Sequence, residues 1–376
     1  MNASMPPLFF FNWPSQVGGA DTKFVHLLPL LCQEAEVTVV PNTAERVAEP
    51  GWREWIESLG AKVTLQEQLP ERLEGWAVAL CNADFFSKGI WHEAQRRGLK
   101  IAWSSEMMWH FPAELGAVMF GWIDAVLYVS PAQRATLEPG YLHALNGGAE
   151  PMAAAPLADP AAVAGVMRGS NGRVLRWAMP GNYINPDQFT FRERGAGDRP
   201  FTIGRLSRPD PDKFPDDFPA SYERLGLREP HRFRVMAWSE RLTERWSEHQ
   251  FDSRWELLGQ AAEPAETFLH SLDVLVYDLS PRFSESWGRA VVEAMLTGAV
   301  PLVPSAARHH LHHLVPHGLA GFQCEGSKDF AGYARLLQDE PAQLAAMSRA
   351  ARRWAEDRLC NAAEHLALWR AVFADG

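Results

Sequence analysis

The chain has 376 residues, 47% of them hydrophobic, enough to bury two ordinary domain cores. Its net charge of −10 is the wrong sign for a nucleic-acid partner, which needs a positive footprint, although local basic clusters can still hold phosphate. The four cysteines, Cys32, Cys81, Cys324 and Cys360, lie far apart without a CxxC pair and read as small buried apolar residues in a reducing compartment.

The start, MNASMPPLFFFNWPS, lacks the basic region and long apolar core of a signal peptide, and no later run reaches the roughly 18 apolar residues of a membrane span. A cytoplasmic protein without a transmembrane segment is expected, with peripheral membrane contact left open. LFFFN (8–12) predicts the first strand. The loop WPSQVGGAD follows, and after it the helix KFVHLLPLLCQEA and the strand EVTVVP. Adjacent Gly18 and Gly19 at that strand-to-helix turn either bring backbone N–H groups against an anionic or hydroxylated ligand or make an ordinary turn. Neither GxGxxG nor GxxxxGK[ST] occurs, so nicotinamide-type and P-loop sites lack their fingerprints. WREWIESLGAKVTL predicts a helix closed by Gly60 and leading into a strand. WAVALCNADFF, LKIAWSS and AVLYVS follow as buried strands, separated by helical pieces such as GIWHEAQRRG.

The loop after IAWSS carries Glu106 and His110, the latter either facing a substrate or packed beside Trp109 and Phe111. Ser130 predicts a helix N-cap, with Arg134 in its first turns. Alanine- and proline-rich 149–172 suggests a surface loop and short helix, and RVLRWAMPG a strand running into NYINPDQFTF. FRERGAGDRP (191–200), with mixed charge, two glycines and a proline, is the best linker. Two domains are expected, 1–192 and 199–361.

The second half restarts with the strand FTIG and the loop RLSRPDPDKFPDDF. Arg205, Arg208 and Lys213 lie there among stiffening prolines, either as a solvated loop balanced by Asp210, Asp212 and Asp216 or as a clamp for a diphosphate. HRFRVMAWS, RWELLG, VLVY, PLVP and AGFQC predict further strands. The alternation of strand and helix argues for mostly parallel sheets with helices on both faces. DVLVY, a loop, SWGRAVVEAMLTG and VPLVP read as strand, loop, helix, strand, with Glu285 before the helix and Glu293 inside it. Ligands of open α/β sheets bind at such a mouth, beyond the carboxyl ends of the strands. Glu285 is alternatively a first-turn acid favouring the helix dipole and Glu293 a solvated helix residue. Flanked by Val291, Val292, Ala294 and Met295, however, Glu293 requires a basic side chain or a ligand hydroxyl. HHLHH (309–313) has helical spacing for a metal, but no carboxylate or cysteine pattern completes a ligand set, and no metal is predicted. The tail from Phe330 is helical, broken near Pro341 and Cys360.

GRLSRPDPDKF (204–214) and SESWGRAVVEAMLTGAVPLV (284–303), supported by GGADTKFVHLL, AVLYVSPAQRATL and MPGNYINPDQF, resemble the retaining glycosyltransferases of family 4 over nearly the whole chain. The resemblance implies an α/β GT-B fold, two Rossmann-like domains with parallel sheets facing across a cleft. The final helix, 362–376, would join the N-terminal domain. It implies retaining transfer of a glycosyl group from a nucleoside-diphosphate sugar, UDP- or GDP-linked, to a hydroxyl of a glycan or small-molecule acceptor, without metal or other cofactor. Arg205 and Lys213 match the basic pair at the donor diphosphate, Glu285 the carboxylate at the sugar hydroxyls, and Glu293 the one at the ribose. Gly18, Gly19, Ser286, Trp287 and Gly288 complete the implied donor site. Relatives carry a histidine after an N-terminal strand where this chain has WSSEMM, so Ser104, Ser105 or Glu106 stands there, with His110 nearby. Trp238, in MAWSERL, replaces a glycine-rich turn. A non-catalytic nucleotide-sugar-binding protein on the same fold is the alternative, and a phosphorylase- or epimerase-like enzyme a third possibility.

Overall fold

The computed structural model describes residues 5–15, 19–148, 159, 161–195, 197 and 199–373. The chain divides into two compact units, Met1–Ile184 with Ala362–Gly376, and Asn185–Asn361.

In the first unit, β1 (Leu8–Phe10), β2 (Val37–Val39), β3 (Lys62–Val63), β4 (Trp76–Leu80), β5 (Lys100–Ser104), β6 (Ala125–Leu127), β7 (Ala164–Arg168) and β8 (Val174–Ala178) form one sheet. Its order is β3-β2-β1-β4-β5-β6-β8-β7, and all neighbours are parallel except β7 and β8. Because successive side chains on a strand alternate, Leu8, Phe10, Trp76 and Val78 bury on one face and Phe9, Phe11, Ala77 and Ala79 on the other. Burial on both faces is why these strands read as unbroken apolar runs. The helix Ala362–Phe373, from the far end of the sequence, covers the first face, with the Trp369 ring 6.2 Å from Phe10 and the Phe373 ring 5.1 Å from Trp76.

Two local expectations are corrected. The strand expected over WAVALCNADFF stops at Leu80, because Cys81 turns into the left-handed region (φ 50°) and Ala83–Ser87 is helical. Residues 164–168, expected within a loop and short helix, instead form β7, the antiparallel partner of β8. The turn between them is closed by Gly169 N–H donating to the Arg173 carbonyl (2.9 Å), with Gly172 at φ 81°. That turn, in GSNG, was the signal available in the sequence. Residues 149–158 and 160 lie outside the described residues.

The second unit holds β9 (Phe201–Leu206), β10 (His231–Met236), β11 (Trp255–Leu258), β12 (Val274–Val276), β13 (Val300–Pro304) and β14 (Phe322–Cys324). They are parallel throughout in the order β11-β10-β9-β12-β13-β14, over a core that includes Ile203, Phe233, Val274 and Leu302. From β9 the chain moves to β10 on one side and later returns to β12 on the other, so the sheet has its switch point between β9 and β12. The helix Arg289–Thr297 joins β12 to β13 and is bounded by Gly288 and Gly298, both at positive φ. The tail forms Ser327–Asp339, Pro341–Trp354, a single π-type turn Ala355–Leu359 and the last helix. The units divide at 184/185, ahead of the sequence-based linker. The stretch from Asn185 is held by the second unit, with Arg192 N–H on the Thr297 carbonyl (3.2 Å) and the Arg194 side chain on those of Leu272 (2.5 Å) and Leu269 (3.1 Å). Among the described residues no helix is long and apolar enough to cross a membrane.

Candidate functional site

Three residues singled out by sequence come together beyond the carboxyl ends of β9 and β12, where an open α/β sheet leaves its crevice. Arg205, expected in the loop after the strand, lies within β9 itself and is fully buried. A buried arginine needs partners for its donors. Here the two terminal nitrogens donate to the backbone carbonyls of Asp278 and Lys213 (the latter 2.9 Å) while Nε has no partner among the described residues, and the guanidinium lies 4.4 Å from the Phe214 ring centre.

Lys213 is placed by the single turn Pro211–Lys213, whose start is fixed by the Asp210 carboxylate accepting from Asp212 N–H (3.0 Å). The ammonium forms a buried ion pair with Glu285 and stands 4.9 Å from the Phe283 ring centre. Tyr277, in sequence the last apolar residue of the strand run DVLVY, donates its hydroxyl to the same Glu285 oxygen at 2.7 Å and accepts from Lys213 at 3.4 Å. Arg208 is exposed nearby, and its charge acts on Lys213, Tyr277 and Glu285.

Burial alone would raise the Glu285 carboxyl. The Lys213 charge, with hydrogen bonds from Lys213 and Tyr277, outweighs it and holds the group below its ordinary value, ionised at neutral pH. Burial pushes the Lys213 ammonium down while Glu285 opposes, and burial with the Glu285 charge pushes the Tyr277 hydroxyl well up. Asp278 is raised to about 6 by burial, against the pull of Arg205.

Glu293 sits inside its helix and is buried, and the basic partner it requires is Arg289, one turn earlier, whose Nε donates at 2.7 Å. Burial raises the Glu293 carboxyl and Arg289 counters. Ser286 is half-buried and Trp287 buried. Gly288 has φ 88°, and a Cβ there would lie 2.5 Å from Leu311 Cδ2, so the turn into the helix requires glycine.

In the first unit, Gly18 lies outside the described residues, while Gly19 opens the helix Gly19–Leu31, where an added Cβ would meet nothing within 4 Å. Glu106 accepts through Oε1 from Ser104 Oγ (2.7 Å) and from Lys23 (2.6 Å), a residue of the helix Gly19–Leu31 that no sequence motif marks. Ser105 is buried and donates to the Trp109 carbonyl (3.3 Å). His110 stands apart from that group. Its ring centre is 4.7 Å from that of Tyr141, and its Nδ1 is 3.7 Å from the buried Glu114 carboxylate, which takes the Tyr141 hydroxyl. In the histidine run, His309 Nδ1 meets the Phe283 carbonyl at 2.9 Å, and among the described residues no three His, Cys, Asp or Glu side chains form a metal-binding group. Trp238 packs 5.8 Å from Trp246, ring to ring.

No protein-family model and no curated protein matches the chain. Solved structures do. Anabaena HepE in complex with UDP-glucose aligns with TM-score 0.65 and 13% identity over 97% of this chain and 98% of that one. A glycosyltransferase from Rickettsia africae aligns with TM-score 0.66 and 10% identity over 98% of both chains. The sucrose-phosphate synthase of Thermosynechococcus elongatus gives TM-score 0.61 and 12% identity over 97% and 98%. These likenesses establish the fold class, α/β with two parallel-sheet domains of the GT-B type.

Proposed function

We propose that the chain is a glycosyltransferase that moves a glycosyl group from a nucleoside-diphosphate sugar to a hydroxyl of a glycan or small molecule, with retention of configuration. The observation that carries this is the buried group of Lys213, Glu285, Tyr277 and Arg205 at the switch point of the second sheet, on a fold shared with a protein crystallised with UDP-glucose. Breaking an anomeric bond develops positive charge on the sugar and negative charge on the departing diphosphate. Lys213, backed by Arg205 and with Arg208 exposed beside it, places positive charge for the diphosphate, and losing one such contact typically costs about 3 kcal/mol. Arg205 contributes from behind, holding the Lys213 backbone in place.

Glu285 is kept ionised to meet sugar hydroxyls, and Glu293 and its partner Arg289 stand for the nucleotide ribose. Ser286, Trp287 and Gly288 carry the chain from Glu285 into the helix. The acceptor hydroxyl attacks on the face the diphosphate leaves, and a diphosphate oxygen takes its proton. The side chains already supply the charge, so the step requires no metal or other cofactor.

The test is calorimetric titration and hydrolysis of UDP-, GDP-, ADP- and TDP-sugars, with Glu285→Ala and Glu293→Ala compared with the parent. One donor bound and slowly hydrolysed, with turnover reduced at least a hundredfold in Glu285→Ala and binding lost in Glu293→Ala, is the expected result. Full turnover in Glu285→Ala refutes the catalytic assignment. If donor binds but no variant or condition gives turnover, the chain is a nucleotide-sugar-binding protein. No binding of any nucleotide overturns the donor site.

A further inference from the structure

His309, the first member of the histidine run, touches the loop that carries Glu285. It ends the single turn Ala307–His309, just after β13, and is 2% exposed. Its Nδ1 lies 2.9 Å from the Phe283 carbonyl oxygen and its Nε2 3.2 Å from Arg308 Nε. A carbonyl can only accept and a guanidinium can only donate. The two contacts together therefore fix one form of the ring, neutral, with the proton on Nδ1 and the Nε2 lone pair turned to Arg308. Burial pushes this imidazole below its ordinary value, the Phe283 carbonyl opposes, and the Arg308 charge adds to the fall.

Phe283 is where the contact acts. Its N–H donates to the Ser280 carbonyl (2.9 Å), and the Ser280 N–H donates to the Lys213 carbonyl (3.4 Å), so the residue sits in a turn tied to the segment bearing Lys213. Its ring centre is 4.9 Å from the Lys213 ammonium, and Glu285, the partner of that ammonium, follows two residues later. The two loops meet again further on, where a Cβ added at Gly288 would come within 2.5 Å of Leu311 and 3.2 Å of Leu314. A continuous set of contacts thus runs from Arg308 through His309 and Phe283 to Lys213 and Glu285.

We propose that His309, in its neutral form and oriented by Arg308, is a positioning residue for the Lys213–Glu285 pair, holding the Phe283 carbonyl and with it the turn that aims Glu285. An apolar side chain at 309 deprives that carbonyl of its imidazole donor and Arg308 of its acceptor. Protonation of the ring sets Nε2–H against Arg308 Nε–H, so the orientation by Arg308 is lost as the pH falls. On its own loop Arg308 and His310 bear on the ring, and His310 is itself lowered by burial and by the charges of His312 and His309. From the 277–288 segment it meets the Phe283 carbonyl, and the charges beside Phe283, Lys213 and Glu285, pair with each other. That this pair serves a nucleotide-sugar donor rests on the transferase proposal; its support by His309 does not.

The experiment uses the full chain with His309→Leu, His309→Asn, whose amide keeps a donor at the δ position, and Arg308→Met. Nuclear magnetic resonance of ¹⁵N-histidine-labelled protein, with His309 identified by its loss in the variants, should show the neutral Nδ1–H form in the parent. That signal should titrate at a lower pH in the parent than in Arg308→Met. Urea unfolding of Lys213→Met, Glu285→Leu and their combination, repeated in each His309 background, reads the pair itself. Its departure from additivity should be at least halved by His309→Leu and largely kept by His309→Asn. With UDP-, GDP-, ADP- or TDP-glucose as donor, His309→Leu should lower kcat by roughly tenfold or more, with partial rescue by His309→Asn. Donor KM should stay within about threefold of the parent, because the substituted side chain acts through Phe283. An Nε2–H form in the parent, undiminished coupling in His309→Leu, or identical behaviour of the Asn and Leu variants overturns the proposal. Should His309→Leu fail to fold, the ring form and its titration in the parent and Arg308→Met, with coupling in the Asn background, decide it. If the parent hydrolyses none of the four donors, the transferase reading fails alone, because resonance and coupling still decide the role of His309.

Discussion

Removing Lys213 leaves the Glu285 carboxylate buried with one remaining donor, the Tyr277 hydroxyl at 2.7 Å. Breaking a buried ion pair from one side typically costs about 3–5 kcal/mol. A hydrogen bond to a charged group retains roughly 1.5–3 kcal/mol of compensation, which places Lys213→Met near the lower end, about 3 kcal/mol. Glu285→Leu leaves the ammonium with the Tyr277 oxygen at 3.4 Å and the face of Phe283, a comparable or slightly larger loss. The double variant Lys213→Met/Glu285→Leu has no orphaned charge and only apolar side chains in their place. It should therefore lose about 3 kcal/mol or less, where independent effects would sum to about 6 kcal/mol. Urea unfolding of the four proteins, followed by tryptophan fluorescence, measures the coupling directly. Losses that add to within about 0.5 kcal/mol would refute the claim that the two charges depend on each other.

Two further outcomes follow from the same region. Asp278 has its carboxyl raised from 3.8 to about 6, so as pH rises from about 4 to 6 the unfolded chain releases this proton first and the folded state loses stability relative to it. Asp278→Asn removes that loss, so its stability relative to the parent should grow between pH 4 and pH 7 by on the order of 2–3 kcal/mol in urea midpoints read at both values; a flat difference contradicts it. Gly288→Ala must take φ 88° and push against Leu311, costing roughly 1–3 kcal/mol, whereas Gly332→Ala, inside a helix with open space around it, should gain up to about 1 kcal/mol. Thermal melting of the two variants gives opposite signs if backbone conformation decides both.

What could be read ahead of the structure was whatever repeats along the chain. Apolar runs such as WAVAL and VPLVP mark strands buried on both faces, and Gly298 closing a helix is visible as a letter. The Glu293 flanks announced a partner, found at Arg289 one turn away. Less visible was anything decided across the sheet. A strand ending in arginine looks like the start of a charged loop, because its interior carbonyl partners, at Asp278 and Lys213, are set by tertiary packing. Lys23 reads as a helix residue until the fold carries Glu106 to it, and Tyr277 reads as strand core until its hydroxyl is seen on Glu285. β7 was hidden because Ala164 and Gly165 begin it and Val166 faces solvent, so no apolar alternation announces it.

The last helix also governs the order in which the protein can be completed. Strands β1 and β4 are made early, yet the side chains packed on Phe10 and Trp76 include Trp369 and Phe373 beside Phe24 of the early helix, Trp369 being only 1% exposed. As the chain emerges from a ribosome, its amino-terminal sheet must wait with part of an apolar face uncovered while the whole of Asn185–Asn361, contiguous in sequence, has everything it requires to fold. The half synthesised first is thus the half that finishes last, and a chain stalled short of Trp369 would present a folded second unit beside an adhesive, unfinished first one.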